Sequence, residues 1–411
     1  MRILVTLHNF LPEQTLGAEN ACMAQMREMI AAGCEVALFY AGNEPPDAVL
    51  LEQSGLQRVR LYRVPYLPTK AQVLLSIAKP WVERAYRKAL QDFSPDVVLF
   101  HHLVRLSLRL PAITRKAGIP AAYFLHDYYW LCPSYSLHAW DEPVCPGGTP
   151  WRCAECLYRS RHGKAPSRVV RYLGSLLIRY RDRLVPRNMA AISLFVTPSR
   201  NLATEMTLRG VVIPEPVVVR NGRPPPQPGP GDQPRRPVRF GYLGGTSSKK
   251  GLETLVSAFR GSLGMQLRIR GFGSVEEMAA FRQRFPDFQG QLELFSTDKQ
   301  AFFASIDVLV VPSVWLENQP MVVLEAFAAG IPVVASALGG LTEMVRDGEG
   351  GRLFPGGDAD ALRRLVDELS EDPEAVAELR RRIPEWPSWE AETAELLRHL
   401  RRLSPGRGNL R

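Results

Sequence analysis

Two glutamates eight positions apart, Glu317 and Glu325, stand on either side of Pro320 in the stretch ENQPMVVLEAFAAGIPVVAS, residues 317–336. Pro320 suits the opening of a helix, Gly330 its exit and Pro332 the start of the next strand. Glu317 is therefore expected beside the positive end of an apolar helix. Glu325 is expected more than a turn inside it, among Val322, Val323, Leu324, Ala326 and Phe327, where a buried carboxylate is costly unless strong donors meet it. The vicinal hydroxyls of a ribose would supply two. A glutamate turned to solvent from an amphipathic helix is the plain alternative.

A second set of residues gathers at glycine-rich turns. Gly17 closes HNFLPEQTLG just before a helix start, where a residue without Cβ lets the backbone approach a ligand. In GYLGGTSSKKG, residues 241–251, the pair Gly244 and Gly245 precedes small hydroxyl residues and two lysines. Backbone N–H groups, a helix dipole and the point charge of Lys249 or Lys250 together suit a diphosphate; a solvated strand-to-helix turn needs the same residues for no chemistry at all. RIRGFGS, residues 268–274, offers Gly271 and Gly273 in a further turn of the same kind.

Four cysteines form a third set. Cys132, Cys145, Cys153 and Cys156 are spaced C-x12-C-x7-C-x2-C in a segment rich in turn residues. Four thiolates at tetrahedral reach suit structural zinc; an iron–sulfur cluster takes the same ligands, and four ordinary thiols are the third reading.

These residues need a scaffold that brings strand ends together. The chain has 411 residues, 45% hydrophobic and 23% charged, enough for two cores. Short β-branched runs alternate with amphipathic helical patterns throughout, the pattern of parallel sheets covered by helices on both faces. Strands are expected at 3–7, 36–40, 97–100, 121–126, 194–199 and 217–222, then at VRFGYLG, LRIRGFG, LELFS, DVLVVPS and IPVVAS, with FFASI among the apolar runs. Residues 223–237 hold seven prolines and two glycines. They divide the chain into a first domain, 1–222, carrying the cysteine insert at about 128–160, and a second, 238–411, closed by C-terminal helices. Two doubly wound domains place a ligand in the cleft between them.

Taken in order, the segments HNFLPEQTLGAE, FLHD, VTPS, VVVRNG, KKG, ENQPMVVLE and GGLTEMVRDGEGGRLF resemble glycosyltransferase family 4, the retaining glycosyltransferases of the GT-B type, over nearly the whole chain. ENQPMVVLE is that family's E-x7-E motif. The resemblance implies that Glu325 holds the ribose of a UDP- or GDP-sugar and that Glu317 lies near the donor sugar and diphosphate. It also implies that Lys250 steadies the leaving diphosphate, that His126 faces the donor sugar, and that Gly17 approaches the diphosphate. It implies no metal or other cofactor for the transfer, and a glycan or lipid-linked acceptor in polysaccharide or glycolipid assembly. Two departures stand out. Gly244-Gly245 replaces a Gly-Arg common in the phosphate turn, and Leu16-Gly17 replaces a double glycine. A nucleotide-sugar epimerase and a non-catalytic scaffold of the same fold are the competing readings.

The formal charge of +9 points to anionic partners. Between Arg159 and Arg187 there are nine Lys or Arg and one acid, Asp182, with Val169, Leu173, Leu176, Leu177, Tyr180 and Leu184 at helical spacing. That pattern fits a basic amphipathic helix on an anionic membrane surface, or a packed helix with a solvated basic face. No stacking aromatics or known binding motif accompany the charge, so nucleic acid is not an expected partner. MRILVTL reads as a buried strand rather than a signal peptide, and a cytoplasmic protein, at most peripheral at the inner face of the plasma membrane, is the expectation.

Overall fold

The computed structural model describes residues 1–13, 17–65, 77–211, 213–231, 235–260, 266–295 and 298–404. Two compact units emerge. One combines Met1–Gly222 with the final helix Trp389–Leu403, and the other is Arg223–Ser388.

The first unit is built on seven parallel strands: β1 Arg2–Leu7, β2 Glu35–Ala41, β3 Arg60–Val64, β4 Val97–Phe100, β5 Ala121–Phe124, β6 Leu194–Thr197 and β7 Val217–Val218. Their order is β3-β2-β1-β4-β5-β6-β7, with Ile3 registered against Val36 on one side and Val97 on the other. Helices cover both faces, so the central strands read as unbroken apolar runs, and β4 and β5 are buried at every position.

The second unit repeats the plan with β8 Arg239–Leu243, β9 Gln266–Phe272, β10 Gln291–Leu294, β11 Val308–Val311, β12 Val333–Ser336, β13 Arg346–Asp347 and β14 Gly350–Phe354, ordered β10-β9-β8-β11-β12-β14-β13. In each sheet the strand order reverses at its centre, between β1 and β4 and between β8 and β11, with a further swap of β14 and β13 at the edge of the second. Beyond the C-terminal ends of those strands lies the place where a doubly wound sheet binds its ligand.

Several expectations shift. The strand expected at 194–199 stops at Thr197 because Ser199 caps the next helix, its hydroxyl accepting from the Leu202 N–H. The strand expected at 217–222 shortens to two residues. FFASI is not a strand: Phe302 to Ala304 end the helix Lys299–Ala304, which Asp298 caps, and Ser305 closes it. β3 escapes the pattern because arginines interrupt its apolar residues, and β14 because it begins with two glycines. Gly351 is required there, since a Cβ would lie 2.0 Å from the Val333 carbonyl oxygen.

The domain division also needs correcting. The final helix, counted with the second domain although its sequence leaves open a return to the first, packs on the helix Gly17–Ala31 and sets Leu396, Leu397 and Leu400 into the core of the first unit. Their spacing makes one apolar stripe, and that stripe meets the helix after β1. The expected linker is not free chain either: Gln227 N–H donates to the Ala328 carbonyl at 2.9 Å, and Gly229 lies flush on Ala329.

Candidate functional site

In the second unit the turns after β8 and β11 are locked together. Gly251, at φ 73°, is the only residue type that fits its place, because a Cβ would lie 1.8 Å from the Pro312 carbonyl oxygen. The Val314 N–H donates to the Lys249 carbonyl at 2.9 Å. This contact brings Lys250 Nζ to 2.6 Å from Oε1 of Glu317, which also accepts from the Ser313 hydroxyl at 2.8 Å. Burial pushes the Glu317 carboxyl up, but the Lys250 ammonium and the hydrogen bonds from Lys250 and Ser313 outweigh it and hold the group below the usual carboxylate range. Lys249 turns its ammonium over the Trp315 ring, 4.4 Å from the centroid.

The backbone of Glu317 is fixed from behind. Gly340 N–H donates to the Glu317 carbonyl at 2.7 Å. A Cβ at Gly340 would fall 1.5 Å from the Asn318 carbonyl oxygen, and one at Gly339 would fall 2.5 Å from that of Glu317. The glycine pair opening GGLTEM therefore exists so that the loop 316–318 can be pressed against it. Gly271 and Gly244 form a second close approach, 1.7 Å from a Cβ on Gly271 to the Gly244 oxygen. Gly245 is different: a Cβ there meets nothing within 4 Å. The Gly273 N–H is held by Glu277 Oε2 at 2.6 Å.

Glu325 lies in the helix Met321–Ala328, as its position predicts, but neither floats in solvent nor stands alone in a greasy pocket. Lys299 Nζ meets its Oε1 at 2.5 Å. Sequence reasoning missed Lys299, and its signal was weak: a single lysine opening a helix taken for an apolar run.

In the first unit, three strands of the sheet deliver histidines to one edge. His8 follows β1, His101 and His102 follow β4, and His126 follows β5. His101 Nδ1 and His126 Nε2 are 2.8 Å apart. Burial pushes His126 down to about 4 and His101 down as well, so both rings are neutral near pH 7 and share one hydrogen bond. His102 Nδ1 accepts from the Val104 N–H at 3.0 Å, so its Nε2 carries the proton donated to Asp127 Oδ2 at 2.9 Å. Burial raises the Asp127 carboxyl, but the contact with His102 and the hydrogen bond that Asp127 Oδ1 accepts from the Tyr129 N–H at 2.8 Å bring it below its ordinary value overall. His8 Nε2 reaches Glu19 Oε1 at 3.1 Å. Gly17 is the first residue of the helix after β1; Leu16 before it lies outside the described residues. Of this edge only His126 and Gly17 were picked out from sequence, although a histidine within two residues of the end of three apolar strands was a readable signal.

The four cysteines come within each other's electrostatic reach, yet among the described residues no group of three or more His, Cys, Asp or Glu is arranged to hold a metal ion. Cys132 Sγ meets the Ser134 hydroxyl at 3.1 Å and Cys156 Sγ faces the His138 carbonyl. Burial, then the neighbouring thiols, push Cys153 up to about 12 and Cys156 up to about 11.

The edge of the second sheet thus offers fixed cations beside glycine turns, the chemistry an anion requires, and the edge of the first sheet, taken by itself, offers neutral imidazoles that can donate or accept a hydrogen bond. Residues 17–222 match the family described as Glycosyl transferase 4-like domain, and residues 237–372 match Glycosyl transferases group 1. A phosphatidyl-myo-inositol mannosyltransferase of Mycobacterium leprae is 36% identical over 121 residues, 28% of this chain and 32% of that protein, so the match spans about a third of its length. A glycogen synthase of Mycobacterium tuberculosis (strain CDC 1551 / Oshkosh) is 29% identical over 295 residues, 67% of this chain and 66% of that one. Among solved structures, the sucrose-phosphate synthase of Thermosynechococcus elongatus superposes with a TM-score of 0.74 at 17% identity, over 98% of both chains. Anabaena HepE in complex with UDP-glucose gives 0.67 at 20% identity, over 97% of this chain and all of that one. With both sheets of the GT-B plan and a match over half its length, the chain belongs to glycosyltransferase family 4, the glycosyltransferases of the GT-B type.

Proposed function

We propose that this glycosyltransferase moves a sugar from a UDP- or GDP-sugar to a hydroxyl of a glycan or lipid-linked acceptor, with retention at the anomeric carbon and without a catalytic metal ion. The observation that carries the reading is the Lys250–Glu317 pair at the strand-order reversal of the second sheet, with Lys249 beside it. In the reaction the bond from the anomeric carbon to the diphosphate breaks, and the electron pair leaves with the nucleotide. The acceptor oxygen bonds to the same face of that carbon, and its proton passes to a departing phosphate oxygen. Negative charge grows on the diphosphate as the bond loosens, so a preplaced ammonium stabilises the transition state more than the bound substrate.

Glu317 holds Lys250 in position and Lys299 orients Glu325 towards the ribose hydroxyls. The neutral His126, backed by His101, donates or accepts a hydrogen bond at the sugar without presenting a competing charge. Gly17, Gly244 and Gly245 are the turns at which a diphosphate would approach main-chain N–H groups, whereas Gly271 serves the packing on Gly244 and the Gly273 N–H is already held by Glu277. HepE, solved with UDP-glucose, and the mannosyltransferase relative, named for a phosphatidylinositol acceptor, support the donor class and the acceptor range. We place the step in cell-surface polysaccharide or glycolipid assembly on the cytoplasmic side. Among the described residues, no helix is long and apolar enough to cross a membrane.

The test is a thermal-shift and hydrolysis screen against UDP-, GDP- and ADP-sugars, repeated with Glu325→Ala. One sugar nucleotide should raise the melting temperature, be slowly hydrolysed to the nucleoside diphosphate, and lose both effects in the variant. If no nucleotide or sugar nucleotide binds, the donor reading is wrong and a scaffold role replaces it.

A further inference from the structure

The helix Arg168–Met189 turns inward the face that carries Ser175, Ile178, Arg181, Val185, Asn188 and Met189. That face is well occupied. Gly174 lets the helix approach Pro150–His162 so closely that a Cβ on it would lie 3.1 Å from the Ala154 Cβ. Arg171 pairs with Glu155 at 2.5 Å and stacks on Trp151, while the buried Arg181 donates to the Tyr129 carbonyl.

Among the described residues the opposite face has no such cover. Val169, Tyr172, Leu173, Leu176, Leu177 and Tyr180 are each between 41% and 67% exposed. Their spacing places them on one side of the helix, a continuous apolar strip of a kind that a soluble surface does not carry without a use. Arg168, Arg179, Arg183 and Arg187 are also exposed along this helix, and Asp182 is its one acid.

We propose that this strip docks on an anionic phospholipid surface, its leucines entering the acyl boundary and its arginines meeting headgroup phosphates. Two observations choose a lipid surface over a second copy of the chain. A twofold contact through this face would set its arginines against the same arginines of the other copy. The strip also carries Tyr172 and Tyr180, whose rings present an apolar body and a polar tip suited to headgroup level. The inference does not depend on which donor or acceptor the enzyme uses, because the binding site for the bilayer is separate from the donor turns in sequence and in chemistry.

The experiment is co-sedimentation of the full chain with vesicles of phosphatidylcholine alone and of phosphatidylcholine with about a third phosphatidylglycerol, at low and high salt. Partition should require the anionic lipid and weaken with salt. Leu173→Asp combined with Leu176→Asp should lower it by about ten-fold or more, and so should Arg179→Glu combined with Arg183→Glu. Both pairs should keep the wild-type melting temperature and the slow hydrolysis of the sugar nucleotide. Should the aspartate pair prove unstable, the glutamate pair decides alone. Equal partition onto neutral and anionic vesicles, no partition at all, or undiminished binding by the folded variants overturns the proposal. A dimer in solution that the leucine substitutions dissolve would assign the strip to a second copy instead, and overturns it equally.

Discussion

Lys250 Nζ lies 2.6 Å from Oε1 of Glu317, so an ammonium that is partly exposed is tethered to a carboxylate that is almost wholly buried. The arrangement is directional. Glu317 is surrounded, while the remaining donors of Lys250 are available to a ligand arriving at the turn.

Removing the lysine should therefore do two things. Lys250→Ala leaves a buried carboxylate without its cation, and we expect a stability loss of about 1–3 kcal/mol, below the full cost of breaking a buried pair because Lys250 is partly solvated. On the proposed mechanism the turnover of donor should fall by about 100-fold or more, since the ammonium assigned to the leaving group is gone. Glu317→Gln should spare most of the stability at neutral pH. Because the folded carboxyl titrates below its unfolded value of 4.5, the pair's contribution is present above that pH and is lost as pH falls through the folded value. Wild type should thus lose melting temperature below about pH 4.5 more steeply than Glu317→Gln. Identical acid profiles would show that the pair contributes nothing to the fold.

Much of this was legible in the chain. Apolar runs of four to six residues marked most strands, because strands covered on both faces cannot hide their composition. The turn glycines and both glutamates were found from type and spacing alone. What escaped were partners fixed by tertiary geometry. Lys299 meets Glu325 across 26 residues, Ser313 reaches Glu317 only because its loop is folded back by Gly339 and Gly340, and His101 gains meaning only beside His126. The final helix showed its apolar stripe plainly, but a stripe does not say which core receives it. The cysteine spacing pointed to one cluster, and burial and mutual repulsion of the thiols raise Cys153 and Cys156 together, although among the described residues no group is arranged to hold an ion.

The two glycine pairs separate cleanly by experiment. Gly340→Ala forces a methyl into the Asn318 carbonyl and should cost about 2 kcal/mol or more in melting or denaturant titration. Gly245→Arg meets open space and restores the arginine common in related phosphate turns, so stability should change by no more than about 0.5 kcal/mol. Its affinity for the nucleoside diphosphate should rise about ten-fold, the equivalent of one good charge-assisted contact. An unchanged or weaker affinity would mean that Lys249 already fills the role.

The Lys299–Glu325 pair predicts a specific chemical discrimination. A carboxylate oriented onto the two ribose hydroxyls should make the wild type bind a 2′-deoxy nucleotide about ten-fold more weakly than the ribonucleotide, because one charge-assisted hydrogen bond is lost. Glu325→Ala should bind both weakly and alike, and Lys299→Ala should fall between. Isothermal titration with the two nucleotides measures all three cases. Discrimination that survives in Glu325→Ala would place the ribose elsewhere.

Glu392 supplies a prediction for the fold itself. It lies on the final helix, 1% exposed, with its Oε1 accepting from Gln25 Nε2 at 2.7 Å and its Oε2 facing the Thr393 hydroxyl. Burial pushes its carboxyl up to about 8, against the smaller pull of those two hydrogen bonds. The folded protein therefore holds a proton that the unfolded chain releases near pH 4.5, and the sign follows: between that pH and about 8 the native state binds more protons, so stability falls as pH rises. Glu392→Gln keeps a neutral side chain of the same shape and can still accept from Gln25. It should leave the melting temperature at pH 5 nearly unchanged and raise it at pH 8 by at least about 2 °C, the worth of roughly 1 kcal/mol in a domain of this size. Since Leu396, Leu397 and Leu400 follow on the same helix, the wild-type loss at high pH should begin with release of this helix from the first unit. Faster amide exchange in Trp389–Leu403 at pH 8 than at pH 6, after correction for the intrinsic rate, would report it, and a flat stability profile would show that Glu392 stays ionised in the folded chain.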